Sequence, residues 1–148
     1  MAWRTVLLEY PVYKSLAEVP RDVFKNPALV VERFLPEKEG DRYFMRLCFF
    51  LGDRELNARV AGPEPVIKRR NAVLVEEGIQ VPEPVRRLRR ELGLDYGKID
   101  YAIHDGEVVI FDVNRTPLGA GTDTSGWRIT AALADGIWSL LPDPLSAG

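Results

Sequence analysis

The chain has 148 residues, 46 % of them hydrophobic, enough to bury one core, so one domain or one part of a larger domain is expected. With 20 basic and 22 acidic residues the net charge is −2, which supplies no general attraction to nucleic acid or to a membrane surface. A single cysteine, Cys48, excludes an internal disulfide and any cysteine-built metal cluster, and no apolar run has the make-up of a signal peptide or a membrane span, so a cytoplasmic protein is expected.

Arg4–Tyr13 reads as a strand that Pro11 pushes to a sheet edge or ends. Ser15 precedes a helical turn that Pro20 stops, with Ser15 as cap and Glu18 at the capping-box position. This opening has no strand partners of its own, so residues 1–27 are expected to be the remnant of a preceding subdomain and 28–148 a second one. Ala28–Leu35, between Pro27 and Pro36, reads as a strand whose apolar run is broken by Glu32, a residue type seldom buried without a partner.

Tyr43–Leu51 and Glu55–Ala61 flank Gly52-Asp53 and form the clearest hairpin of the chain. A two-residue turn sets Arg46 directly opposite Arg59, with Cys48 beside Asn57 on the same face. Like charges facing each other across a strand pair are destabilising unless the face holds an anion, and two guanidiniums suit phosphate oxygens. A turn one residue longer would separate the two arginines.

After the stiff turn Gly62–Pro65 comes the basic cluster Lys68-Arg69-Arg70, either solvated surface or directed at an acidic substrate or phosphates. Pro84 starts a helix through Leu92, with Val85, Leu88 and Leu92 on one stripe, Arg86, Arg87, Arg89 and Arg90 outside it, and Gly93 as C-terminal cap. Charged outer faces are ordinary, so nucleic acid is not an expected partner.

The stretch Leu94–Pro117 carries the chemistry. Strands Ile99–Ile103 and Glu107–Val113 join through His104-Asp105-Gly106, and both contain an acid, Asp100 and Asp112, among apolar and aromatic neighbours where an unpaired charge is costly. Asp112 and Asn114 are two apart and leave the same face of an extended chain. Two carboxylates and an amide oxygen are hard ligands of the kind Mg²⁺ takes when it also bridges phosphates. Register decides whether they meet. A two-residue turn at Asp105-Gly106 sends the two acids to opposite faces, whereas a three-residue loop, or a bulge, puts them on one face. Leu118–Gly126 is rich in glycine and hydroxyls but lacks the lysine of a phosphate-binding P-loop. Trp127–Leu141 closes the chain as a helix with Ile129, Leu133, Ile137 and Leu140 on its buried stripe, Trp127 and Trp138 as packing residues, and Pro142 as its stop.

Asp100, then Asp112-Val113-Asn114 and Pro117, resemble the C-terminal metal-binding hairpin of the ATP-grasp enzymes, with Asp-x-Asn where that family usually has Glu-x-Asn. The resemblance covers roughly residues 28 to 141, in the family's order of hinge glutamate, arginine hairpin, helix, Asp strand, acid-x-Asn strand and C-terminal helix. It implies an α+β fold, a largely antiparallel sheet with helices packed on one face. It implies ATP and Mg²⁺ as cofactors, with Asp100, Asp112 and Asn114 as metal ligands. Glu32 and the backbone of Phe34 and Leu35 would grip adenine, Asp41 or Glu39 would hold ribose, and Lys68 would face phosphate. Arg46 and Arg59 would stabilise the transferring phosphoryl group. The activity implied is that of a carboxylate–amine ligase acting through an acyl phosphate. The family's first half, with its lysines and glycine-rich loop, has no counterpart, so either a fragment or a chain needing a partner or homo-oligomer is expected. A non-catalytic nucleotide-binding or interaction module on the same scaffold is the alternative.

Overall fold

The computed structural model describes residues 11–68, 70–117 and 124–142, excepting the side chains of 124–127. The chain divides into two compact units, Met1–Leu35 and Pro36–Gly148, where the sequence places the boundary at Pro27–Ala28. In the first unit a 3₁₀ turn, Leu16–Glu18, precedes helix α1 (Arg21–Lys25). Ser15 makes no side-chain cap, and the Glu18 carboxylate accepts the Lys14 N–H at 3.1 Å instead. Most of the predicted strand Arg4–Tyr13 lies outside the described residues. Ala28–Leu35 is not the predicted strand: it joins no ladder, and Val30 is 78 % exposed. Pro27 and Pro36 lack the N–H that a ladder needs at either end, and no described strand pairs with the segment between them.

The second unit is an α+β fold on a six-stranded antiparallel sheet, the class expected. Its strands are β1 (Glu37–Glu39), β2 (Arg42–Leu51), β3 (Arg54–Gly62), β4 (Val73–Glu77), β5 (Tyr96–His104) and β6 (Glu107–Asn114). They run in the order β4-β3-β2-β5-β6, with β1 also paired to β2. Gly52, at φ 53°, makes the two-residue turn possible, and Leu51 pairs with Arg54. Arg46 therefore faces Arg59 and Cys48 faces Asn57, as the turn predicts. The sequence reading leaves out α1, β1 and β4. β1 is three residues of charge, Glu-Lys-Glu, and β4 is exposed along its whole length, so neither carries the alternation that marks a half-buried strand.

Helix α2 (Glu83–Glu91) begins with Pro84 in its first turn and ends at Gly93, whose φ of 60° supplies the left-handed cap. Val85 buries itself against Cys48, Phe50, Ile99 and Tyr101, with Val81 and Leu94 completing the cluster. Those strand residues alternate along β2 and β5, so α2 covers one face of the sheet. Arg89 does not lie outside: it stacks 4.3 Å from the Phe50 ring and donates to the carbonyls of Leu94 and Gly52.

Helix α3 (Thr124–Leu133) gives way to a 3₁₀ segment, Ala134–Leu140, in place of one continuous helix. Leu133 is buried as predicted, but Ile137, Leu140 and Trp138 are exposed, Trp138 at 69 %. The tighter winding turns Gly136, not Ile137, inward onto the Leu51 carbonyl, and Ser139 Oγ accepts the Asp53 N–H at 2.9 Å. None of the described helices is long and apolar enough to cross a membrane.

Gly97 of β5 has no room for a side chain, since a Cβ there would lie 2.7 Å from the Asn114 carbonyl oxygen and 2.9 Å from Phe50 Cζ. We expect Gly97→Ala to cost about 1–3 kcal/mol in urea unfolding by overpacking. Gly40→Ala, with nothing within 4 Å but a φ of 56°, should cost only the left-handed backbone penalty of about 1 kcal/mol.

Candidate functional site

The β5–β6 hairpin turns on Asp105 and Gly106, both at positive φ (50° and 83°), and pairs His104 with Glu107. This is the short turn, which by itself sends Asp100 and Asp112 to opposite faces. The ladder continues to Tyr101 opposite Ile110 and then slips. Phe111 is passed over, Asp100 pairs with Asp112, Ile99 with Val113 and Lys98 with Asn114. A β-bulge at Phe111 thus undoes the parity of the turn and brings the two aspartates directly opposite each other. Lys98 and Asn114, two residues further along each strand, share their face.

Asp100 is mostly buried, while Asp112 is exposed. Lys98 Nζ lies 2.8 Å from Asp100 Oδ2, and Oδ1 is buried with no hydrogen-bond partner among the described residues. Burial pushes the Asp100 carboxyl up from its ordinary value. Lys98 pulls it back, and the charge of Asp112 adds to the rise. Asn114 Oδ1 accepts the Thr116 N–H at 2.9 Å, which fixes the chain direction after β6. Among the described residues no three His, Cys, Asp or Glu side chains gather around one point, so this is a two-carboxylate arrangement with an amide. Its donors are hard oxygens and one of them is orphaned, which fits Mg²⁺ held by one or two carboxylates and otherwise by phosphates.

The arginine pair has its anion already, and it is the chain's own. Glu37 of β1, only 7 % exposed at its side chain, takes Nε and Nη2 of Arg46 at 2.9 Å each and Nε of Arg59 at 2.8 Å. The Ile103 N–H also donates to it at 2.9 Å. Arg59 gives its Nη2 to Glu39 and stacks 3.8 Å from the Phe44 ring. Burial works to raise the Glu37 carboxyl, but the hydrogen bonds from Arg46 and Ile103 and the charge of both arginines hold it below its ordinary value. Glu37 was not among the expected site residues. The one signal for it is the like-charged cross-strand pair, which demands an anion, and this acid nine residues before Arg46 supplies it.

Arg46 pairs with Tyr101 across β2 and β5, whereas Asp100 pairs with Leu47. Neighbouring residues of a strand point to opposite faces, so the arginines share α2's side of the sheet and the aspartates lie on the other. The sequence reading sets Arg46 and Arg59 with Asp100, Asp112 and Asn114 on one reaction centre; the structure separates the arginines from the other three.

The other candidates are dispersed. Glu32, Phe34 and Leu35 belong to the irregular last stretch of the first unit, with Glu32 exposed. Asp41 is exposed in the β1–β2 turn, and Lys68 precedes β4 with its N–H donated to Asn71 Oδ1 at 2.6 Å. On α2, Arg86 pairs with Glu55 of β3, which ties the helix to the sheet, whereas Arg90 pairs with Glu83 of the same helix. His104 ends β5, its Nδ1 2.7 Å from the Pro36 carbonyl oxygen. Burial pushes the Cys48 thiol up to about 12, which leaves it protonated and unreactive. Compared with protein-family models, with curated proteins and with solved structures, the chain finds no match.

Replacing Glu37 by Gln strands two mostly buried guanidiniums, and we expect a loss of about 3–5 kcal/mol in denaturant unfolding. A carboxyl whose folded pKa is depressed stabilises the fold above its unfolded value, near 4.5, and loses that contribution as pH falls through the folded value. The wild type should therefore lose stability on acidification through this range, by a margin that Glu37→Gln no longer shows.

Proposed function

We propose that this chain carries the Mg²⁺- and ATP-binding portion of an ATP-grasp carboxylate–amine ligase. The observation that carries this reading is the bulge at Phe111. The shift sets two aspartates opposite each other on one face, and one oxygen of Asp100 is buried there without a hydrogen-bond partner among the described residues. Asp100 and Asp112 supply the charge of the site and Asn114 a neutral oxygen. Mg²⁺ held there would offset the charge of the ATP phosphates as the γ-phosphoryl group passes to a substrate carboxylate, giving an acyl phosphate that an amine then attacks. Base recognition by Glu32, Phe34 and Leu35, ribose contact by Asp41 and phosphate contact by Lys68 are supported by the family resemblance. A cytoplasmic location belongs to the same reading, in keeping with ATP as cofactor and with a buried free thiol at Cys48.

A second reading, nucleotide binding without chemistry, is favoured by the arginine pair. Arg46 and Arg59 are engaged by Glu37 on the far face, which leaves them no part in phosphoryl transfer while that pairing stands.

Calorimetric titration of a non-hydrolysable ATP analogue, with and without Mg²⁺, tests the first reading. We expect binding that requires Mg²⁺ and weakens by about tenfold or more in Asp112→Ala, in line with the loss of a charged metal ligand. Nucleotide binding that ignores both Mg²⁺ and the substitution would overturn it. ADP release in the presence of a panel of carboxylates then separates a ligase from a binding module.

A further inference from the structure

Lys98, Asp100, Asp112 and Asn114 stand at the corners of a rectangle on one sheet face, two on each strand. Three of them are oxygen donors. The fourth is a cation, and its placement is specific. Lys98 precedes Asp100 by two residues, so its side chain leaves the same face and reaches along the strand to place Nζ 2.8 Å from Asp100 Oδ2. The side chain is 22 % exposed, with Nζ 6.0 Å from the centre of the Phe49 ring. A lysine free to serve solubility would extend into solvent. This one lies down across the acid most in need of a counter-charge.

We propose that Lys98 is a resident cation: in the metal-free protein its ammonium occupies the counter-ion position of Asp100, and a divalent ion binds there only by displacing it. The inference rests on the reading of this face as a metal site. Asp100 offers two oxygens. One is orphaned and the other is held by Lys98, so an ion seated between Asp100 and Asp112 meets the ammonium at close range. Two cations sharing one carboxylate repel, and the one on a flexible four-carbon stem yields. The released ammonium remains within a side chain's length of the site, where an anionic phosphate ligand is its natural partner. Divalent ion and nucleotide then assist each other's binding, and by linkage the assistance is mutual.

The test compares Mg²⁺ binding without nucleotide in the wild type, Lys98→Met and Lys98→Arg, by calorimetry and by melting temperature. Removing the competing charge should tighten Mg²⁺ binding by about tenfold or more in Lys98→Met, while Lys98→Arg should bind as the wild type does. Lys98→Met should also melt lower than the wild type without Mg²⁺ and recover with it, because the ion replaces the missing counter-charge. In the wild type itself, the ¹³Cε resonance of Lys98 should move on saturation with Mg²⁺, a readout independent of any variant's folding. Equal Mg²⁺ affinity in wild type and Lys98→Met, or a Lys98 resonance that stays still while Mg²⁺ binds, would overturn the inference and leave the metal site standing. Absence of Mg²⁺ binding from both proteins would overturn the site as well.

Discussion

One buried carboxylate joins strands that are far apart in the chain. Glu37 sits on the shortest strand, β1, yet its two oxygens accept from Arg46 on β2, Arg59 on β3 and the backbone of Ile103 on β5. Four strands are thereby fixed about one buried anion. Each partner alone would be a liability: two guanidiniums facing each other repel, and an isolated carboxylate at this depth would cost several kcal/mol, on the order of the desolvation penalty of one ion. Together they are satisfied, with Phe44 beneath Arg59 and Glu39 taking its remaining edge.

The pleat of the sheet then divides labour between its faces. On one side lie α2, the apolar cluster around Phe50, Ile99 and Tyr101, and the Glu37 network. On the other lie Asp100, Asp112, Asn114 and Lys98. The energetic characters are opposite. Glu37 is held below its ordinary pKa, so its ionised form supports the fold at neutral pH. Asp100 is raised, so whatever it contributes to stability is present below its unfolded pKa and is lost as pH rises through the folded one. Ionised Asp100 therefore burdens the fold at neutral pH, a burden that the Lys98 ammonium offsets in part.

What the sequence discloses follows the strength of local constraint. The register of the β2–β3 hairpin is legible because a two-residue turn at Gly52-Asp53 sets every pair behind it. Helix α2 is legible from its proline, its apolar stripe and Gly93. The aspartate pair is legible as a pair of alternatives, since the acids are visible but a bulge is not: Phe111 is an ordinary strand residue, and only the ladder reveals that the register shifts there. The misplaced strand at Ala28–Leu35 and the overlong last helix fail for a common reason. Apolar spacing reports which residues want burial, whereas Pro27, Pro36 and the close approach of Gly136 to Leu51 decide what they receive. Glu37 is hidden because its importance lies in partners 9, 22 and 66 residues away.

The bulge makes the candidate site depend on a count as much as on chemistry. Along β6 the face a residue presents is a matter of parity, and Phe111 is the residue that switches it. Every aspartate could be retained and the site still be lost if β6 were one residue shorter between the turn and Asp112, because the carboxylate would pass to the side occupied by α2. A one-residue insertion or deletion there separates the scaffold from the site with every side chain of the site retained, while a change of side chain at Phe111 leaves the spacing intact. What β6 contributes at this position is therefore a length, which the pairing of Asp100 with Asp112 reads directly.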